Sequence, residues 1–317
     1  MEKLQWIKSK SLFFLISGIF LIGAVFIFIS CGAGPFLKVF EANKGAFAID
    51  LSLAPAPSTF AAVYTGNANF PSIAGNELTI EAWVKSKTAT LSGGIFSRYD
   101  AAGIVMWVKN NVPKFAIRIA TSPTSTDYTV SSGDTTTLTD GQWHHIAGVL
   151  VNSAHTSHAT STTCTTTVRA ETPHVDIYVD GVFKDCATTS SQGANDPNMA
   201  SVRDVEGNTA QIGLLDPQYT PYVDSISSSP LFQGVIDEVR LWTVARTQAQ
   251  IQACMYQELS LTGGDCGIDF TILKGYWRFN EGTGSDIIDS SGHGSNGWIE
   301  SPSGISWVNG WASGYPF

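Results

Sequence analysis

The sequence predicts an all-β protein with one short helix, and three observations predict it. Runs of apolar and polar residues alternate at period two through most of the chain, as in LTIEAWVKS (78 to 86), where Leu78, Ile80, Ala82 and Val84 alternate with Thr79, Glu81, Trp83 and Lys85. Turn signals separate these runs; Asp180-Gly181, between HVDIYV and VFKDC, fits a type I′ hairpin turn. One stretch breaks the pattern. FQGVIDEVRLWTVARTQAQIQACMYQ, Phe232 to Gln257, begins as a strand and ends as a helix near 247–257. Thr247 and Gln250 have the spacing of a capping box, and Ile251 and Met255 recur one helical turn apart beside Cys254.

The other elements follow in order. Residues 32 to 57 mix Gly, Pro and Ala and end in APAPS, which reads as a tether that has room for a strand around Gly45 to Leu51. A strand closes at Phe96, and another runs from Ile104 to Val108. Asn110-Asn111 then turns the chain into Lys114 to Ala120, because Asn tolerates positive φ. Trp143 to Val151 follows Gly141, and Ala210 to Leu215 is a short strand inside a long loop. In the strand GVIDEVRLW, strict alternation puts Val235, Asp237, Val239 and Leu241 on one face and Ile236, Glu238, Arg240 and Trp242 on the other. Asp237 thus interrupts an apolar face and is expected to take an Arg or backbone amides as partner, with a metal as the alternative. Residues 152 to 171 and 187 to 231 are long polar loops, a length usual for functional or disordered segments. The tail from Gly275 supplies closing strands; in it, Asp289 of DSSGHGSNG is expected to cap a turn.

Composition narrows the class. Charged residues make up 14% of 317 residues, below the roughly 25% of an ordinary globular domain. The net charge of -9 excludes a nucleic-acid surface built on basic patches and permits divalent cations. Lys3, Lys8 and Lys10 precede an apolar run from Leu12 to Ile29, followed by Ser30, Cys31 and Gly32, which together describe an export signal. Two readings stay open. Residues 1–30 are cleaved and Cys31 is lipidated, as the resemblance to a bacterial lipoprotein signal implies, with Phe28 where that signal usually has Leu. Alternatively, the run is retained as a membrane anchor. Both place the domain outside the inner membrane, in the bacterial cell envelope at the outer membrane or cell surface. Of five cysteines, Cys164, Cys186, Cys254 and Cys266 remain after Cys31. The favoured pairing in an oxidising compartment is Cys164 with Cys186 and Cys254 with Cys266, since each pair brackets a local excursion.

The ordered set LTIEAWVKS, GGIFSRYDAAGIVMWV, TDGQWHHIAGVLV, VDIYVDGVFKD, AQIGLL and GVIDEVRLW with its helix resembles laminin G-like and pentraxin-like modules. These belong to the concanavalin A-like jelly-roll superfamily. The resemblance implies a jelly-roll β-sandwich over residues 58–317 after a tether at 31–57. It also implies a binding module for a glycan or a surface or matrix protein. A degenerate glucanase-like hydrolase and an architectural envelope protein are the rival classes. In pentraxin-like relatives calcium sits between two loops, which points to Asp100 in SRYDAAG and to Asp216 and Gln218 in IGLLDPQ as ligands of Ca2+. Hydrolysis has less support. Asp237 and Glu238 are neighbours that face opposite ways, no E-x-D-x-x-E stretch exists, and Glu81 and Asp176 stand alone on their strands. No catalytic residue is therefore assigned. His144 and His145 are expected as one buried and one exposed strand residue, and His155 and His158 as loop residues. Tryptophans 83, 107, 143, 242 and 277 are expected in the core.

Overall fold

The structure is a computed structural model that describes residues 47–52, 63–65, 77–99, 103–120, 125–131, 137–151, 174–188, 210–215, 231–259, 266, 269, 271–299 and 305–311. The first strands are β1 (Phe47–Asp50), β2 (Val63–Thr65), β3 (Leu78–Ser86), β4 (Gly93–Tyr99), β5 (Gly103–Lys109), β6 (Val112–Ala120) and β7 (Ser125–Ser131). A 3₁₀ turn at Thr137–Thr139 leads to β8 (Trp143–Val151), β9 (His174–Val179), β10 (Val182–Thr188), β11 (Ala210–Ile212) and β12 (Gly234–Trp242). Helix α1 (Gln248–Cys254) follows, then β13 (Leu273–Trp277), β14 (Asp286–Ile287), β15 (Gly297–Ile299) and β16 (Ser306–Asn309).

These strands form two antiparallel sheets. Sheet A has the order β10-β9-β8-β3-β12-β1-β16, and β13 shares the β1 edge of β12. Sheet B has the order β14-β15-β2-β11-β4-β5-β6-β7. The alternate residues predicted to face inward do so. Ile80, Ala82, Val84 and Ile146 of sheet A share one core cluster with Ile104, Met106, Phe115 and Ile212 of sheet B. Both predicted hairpin turns take positive φ, at Asn110 (50°) and Asn111 (70°) and at Asp180 (52°) and Gly181 (69°), as a type I′ turn requires. The capping box on α1 is present in both directions, Gln250 N to Thr247 Oγ1 and Thr247 N to Gln250 Oε1.

Two expectations change. The strand allowed for within the 31–57 tether exists as β1 and lies inside sheet A, hydrogen-bonded between β12 and β16, so the sandwich begins before residue 58. The second concerns β12. A β-bulge lies between Asp237 and Arg240, and Glu238 takes φ 51° there. The extra residue shifts the alternation by one position. Ile236, Val239 and Leu241 therefore face the core together, while Asp237 pairs across the sheet with Trp83 on the outer face. Strict alternation placed Ile236 on the wrong face.

Candidate functional site

The outer face of sheet A is covered by α1 and the residues after it, and all nine residues of β12 are buried. A charged layer lies under that cover. Arg240 donates from Nη1 to the Cys254 carbonyl at 3.0 Å and from Nη2 to Glu238 Oε2 at 2.8 Å and the Gln257 carbonyl at 2.6 Å. Glu238 Oε2 also accepts from the Tyr276 hydroxyl. One guanidinium thus ties the strand to both the last turn of α1 and the chain beyond it. Glu81 lies in the same layer, with Arg246 Nε at 3.3 Å and His145 Nε2 at 3.5 Å. Burial alone would raise its carboxyl, but the charges of Arg246, His145 and Arg240 outweigh it and hold Glu81 at about 2. Burial sets the direction for Asp237 and Glu238 instead. Asp237 is pushed well up by desolvation and by the adjacent Glu238; Glu238 is raised by desolvation against the pull of Arg240 and Tyr276.

Asp237 takes backbone amides as partners, one of the expected options. Its Oδ1 accepts from Glu238 N at 2.9 Å and its Oδ2 from Trp311 N at 2.8 Å. The latter bond brings the C-terminal segment onto the sheet, so closely that a Cβ on Gly310 would stand 2.7 Å from the same carboxylate oxygen. Trp311 then stacks on Trp83 with ring centroids 4.7 Å apart, and Tyr256 leans on both. Asp237 and Glu238 are 1% and 2% exposed. Asp289 acts as expected: its carboxylate accepts from the amides of Tyr276, Ser291 and Ser295 and so shapes the glycine-rich turn.

His144 and His145 face opposite ways, but both are buried, which corrects the expectation of an exposed partner. His145 stays under the cover with Glu81, whereas His144 sits between two carboxylates. Its Nδ1 lies 2.9 Å from Asp180 Oδ2 and its Nε2 3.1 Å from Asp140 Oδ1. Both nitrogens donate only in the imidazolium form. Burial pushes His144 down, yet Asp180 first and Asp140 second outweigh it, so its pKa is raised above 6.5. A raised histidine contributes stability that is complete below the unfolded value and is lost as pH rises through the folded one. The parent should therefore melt lower at pH 8.5 than at pH 6, and His144→Gln should flatten that difference. The carboxylates are 45% and 39% exposed, so the variant should lose only about 1 kcal/mol at pH 6 in urea titrations. An unchanged pH slope in the variant would remove His144 from this role.

Cys186 is disulfide-bonded, and its partner lies outside the described residues, as do Cys31 and Cys164. The expected Cys254–Cys266 bridge is absent: both are free thiols. Each sulfur is occupied as a hydrogen-bond donor instead, Cys254 Sγ to the Cys266 carbonyl and Cys266 Sγ to Gln257 Oε1 at 3.2 Å. Burial and the neighbouring Cys254 thiol push Cys266 up to about 12, a value that keeps it protonated. Asp100, Asp216, Gln218, His155 and His158 lie outside the described residues. Their flanks are described. Asp100 follows Tyr99 at the end of β4, while Asp216 follows Leu215, whose amide lies against Gly94 at the start of β4. Among the described residues no group of three or more His, Cys, Asp or Glu is arranged to hold a metal.

Of the predicted core tryptophans, 83, 107, 242 and 277 are buried and Trp143 is half-buried. Sequence reasoning missed Trp298, which is 37% exposed. The alternation GWI on β15 was its signal, with Ile299 inward and Trp298 outward.

This two-sheet sandwich with one capped helix defines a class, the concanavalin A-like jelly roll. Residues 57–252, more than half of the chain, match a laminin G family of the Concanavalin A-like lectin/glucanases superfamily, and the chain belongs to that family. No curated protein matches the chain. Among solved structures it is similar to a Bacteroides ovatus ATCC 8483 protein proposed to bind carbohydrate, at 18% identity and a TM-score of 0.47, covering 84% of this chain and 60% of that one. It is also similar to the heptameric SAP-like pentraxin of Limulus polyphemus (17% identity, TM-score 0.40, 66% and 81% covered). Mouse laminin alpha1 domains LG4-5 follow (12% identity, TM-score 0.41, 64% and 44% covered). The chain spans 60% of the length of the Bacteroides protein.

Proposed function

We propose that this chain is an exported binding module, lipid-anchored through Cys31 in the bacterial cell envelope, that recognises a glycan. The observation that carries the reading over its hydrolase rival is the state of Asp237 and Glu238. The adjacent carboxylates of the most enzyme-like strand are buried; backbone amides hold both oxygens of Asp237, and Arg240 and Tyr276 share Oε2 of Glu238. A general acid and base must reach substrate, and these two hold the sheet to its cover instead. Family membership supports a binding role, and the net charge of -9 supports a partner other than nucleic acid. A surface or matrix protein is the alternative partner. Calcium assistance is proposed at Asp100, Asp216 and Gln218, the loop oxygens that the resemblance to pentraxin-like modules implies.

Incubation of the exported chain with a panel of oligosaccharides tests this. Binding without release of shorter sugars is expected; turnover would restore the hydrolase, and binding only to matrix proteins would replace the ligand class. Millimolar calcium should raise the melting temperature slightly. Asp100→Asn should remove that rise without unfolding the chain, and no rise in the parent removes calcium from the reading. Equal detergent partitioning of parent and Cys31→Ala would replace the lipid by a retained helix.

A further inference from the structure

The large apolar side chains exposed among the described residues are Val182, Ile288 and Trp298, and two of them belong to one hairpin. Asp286 of β14 lies directly opposite Trp298 of β15, and cross-strand partners share a face. The burial alternation agrees: Asp286, Ile288, Asn296 and Trp298 are exposed, whereas Ile287, Gly297 and Ile299 are buried. The hairpin therefore presents an indole, an aliphatic side chain and a carboxylate together on the outer face of sheet B. The same row continues across the sheet. Trp298 pairs with Tyr64 of β2, and Tyr64 with Gln211 of β11. Gln211 is half-buried; its Oε1 accepts from the Ser97 hydroxyl at 3.4 Å, and its amide nitrogen makes no hydrogen bond among the described residues. Two strand spacings, about 10 Å, separate Trp298 from Gln211.

Resting on the glycan reading above, we infer that this outer row of β14, β15, β2 and β11 is the sugar-binding surface, and that its ligand is a neutral pyranose chain. Trp298 is the stacking residue, Asp286 the acceptor for ring hydroxyls, and Gln211 the amide partner one sugar further along. The chemistry selects the occupant. An apolar protein segment laid on Trp298 would bury the Asp286 carboxylate without a partner, which costs heavily. A pyranose offers an apolar C–H face to the indole and hydroxyl donors at its rim to the carboxylate. Charge selects among sugars. Asp286 beside the platform, on a chain of net charge -9, repels sialylated and uronic-acid chains and leaves uncharged ones.

The test measures affinity of the full exported chain for cellohexaose, laminarihexaose, mannohexaose and, as the anionic probe, α2,3-sialyllactose. At least one neutral hexasaccharide should bind and sialyllactose should not. Trp298→Ala should weaken the neutral ligand more than tenfold, Trp298→Phe should retain much of the affinity, and Asp286→Asn should weaken it several-fold. Melting temperatures of all three should stay near the parent's, since the positions are exposed. Undiminished affinity in Trp298→Ala moves the site elsewhere and leaves the glycan reading intact. Preference for the anionic probe overturns the assigned ligand class. A parent that binds no oligosaccharide overturns both the platform and the function it rests on.

Discussion

Replacing Arg240 by leucine should lower the unfolding free energy by about 3–5 kcal/mol, the cost of leaving buried charges without their counter-ion. The fully buried guanidinium serves Glu238 and two carbonyls, those of Cys254 and Gln257, and stands 3.9 Å from Glu81. Leucine fills much of the space but leaves all three acceptors facing apolar atoms. Arg246 and His145 still attend Glu81, so the loss concentrates at Glu238 and at the end of α1. Urea titration at pH 7 reads the loss. Adding Glu238→Gln to Arg240→Leu should restore part of it, because a neutral side chain then replaces the stranded carboxylate. A single variant within 1 kcal/mol of the parent would show that the charged layer does not fasten the cover to the sheet.

Trp83→Ala should cost a comparable 3–5 kcal/mol. The indole is 3% exposed, stacks on Trp311, meets the edge of His145 with centroids at 5.3 Å and donates from Nε1 to the Met255 carbonyl at 2.8 Å. It therefore joins three pieces of chain: strand β3, the end of α1 and the C-terminal segment. Truncation should expose Trp311 and speed proteolysis near the C-terminus before the rest of the sandwich is cut. Trp83→Phe separates the two contributions: it keeps most of the stacking surface but strands the Met255 carbonyl, at about 1–3 kcal/mol. Equal protease patterns in Trp83→Ala and parent would mean that Asp237 alone holds the C-terminal segment.

What the sequence shows and hides can be traced to particular residues. Period-two runs, the Asp180-Gly181 and Asn110-Asn111 turns and the Thr247–Gln250 box are local chemistry, each fixed by a few neighbouring residues, and each is legible. The bulge in β12 is not. An inserted residue has no distinctive composition when Glu rather than Gly takes the left-handed position, so Ile236 was placed on the wrong face. The charged layer was also hidden. Glu81, Glu238 and Arg240 look like residues of a solvated strand face until α1 is laid over them, and that docking depends on partners far apart in sequence. The same holds for His144, whose partners Asp140 and Asp180 come from two different turns. Trp298 is legible from the alternation of GWI. Its surroundings, Asp286 opposite and Gln211 two strands away, come only from the pairing of β14, β15, β2 and β11.

The position of β1 bears on how the chain acquires this fold. Phe47 pairs with Asn309 and Ile49 with both Trp307 and Ile236, so one short early strand waits for two late ones. Each pairing closes a loop of most of the domain, an entropic cost that must be met before any contact repays it. Sheet A consequently cannot be completed before Asn309 has been made, and refolding from denaturant belongs in the slow millisecond-to-second regime of non-local β proteins. Under the export proposed above, such delay would be useful: a segment that folds late stays threadable through a translocation channel, and its closing strands would zip up only on the far side.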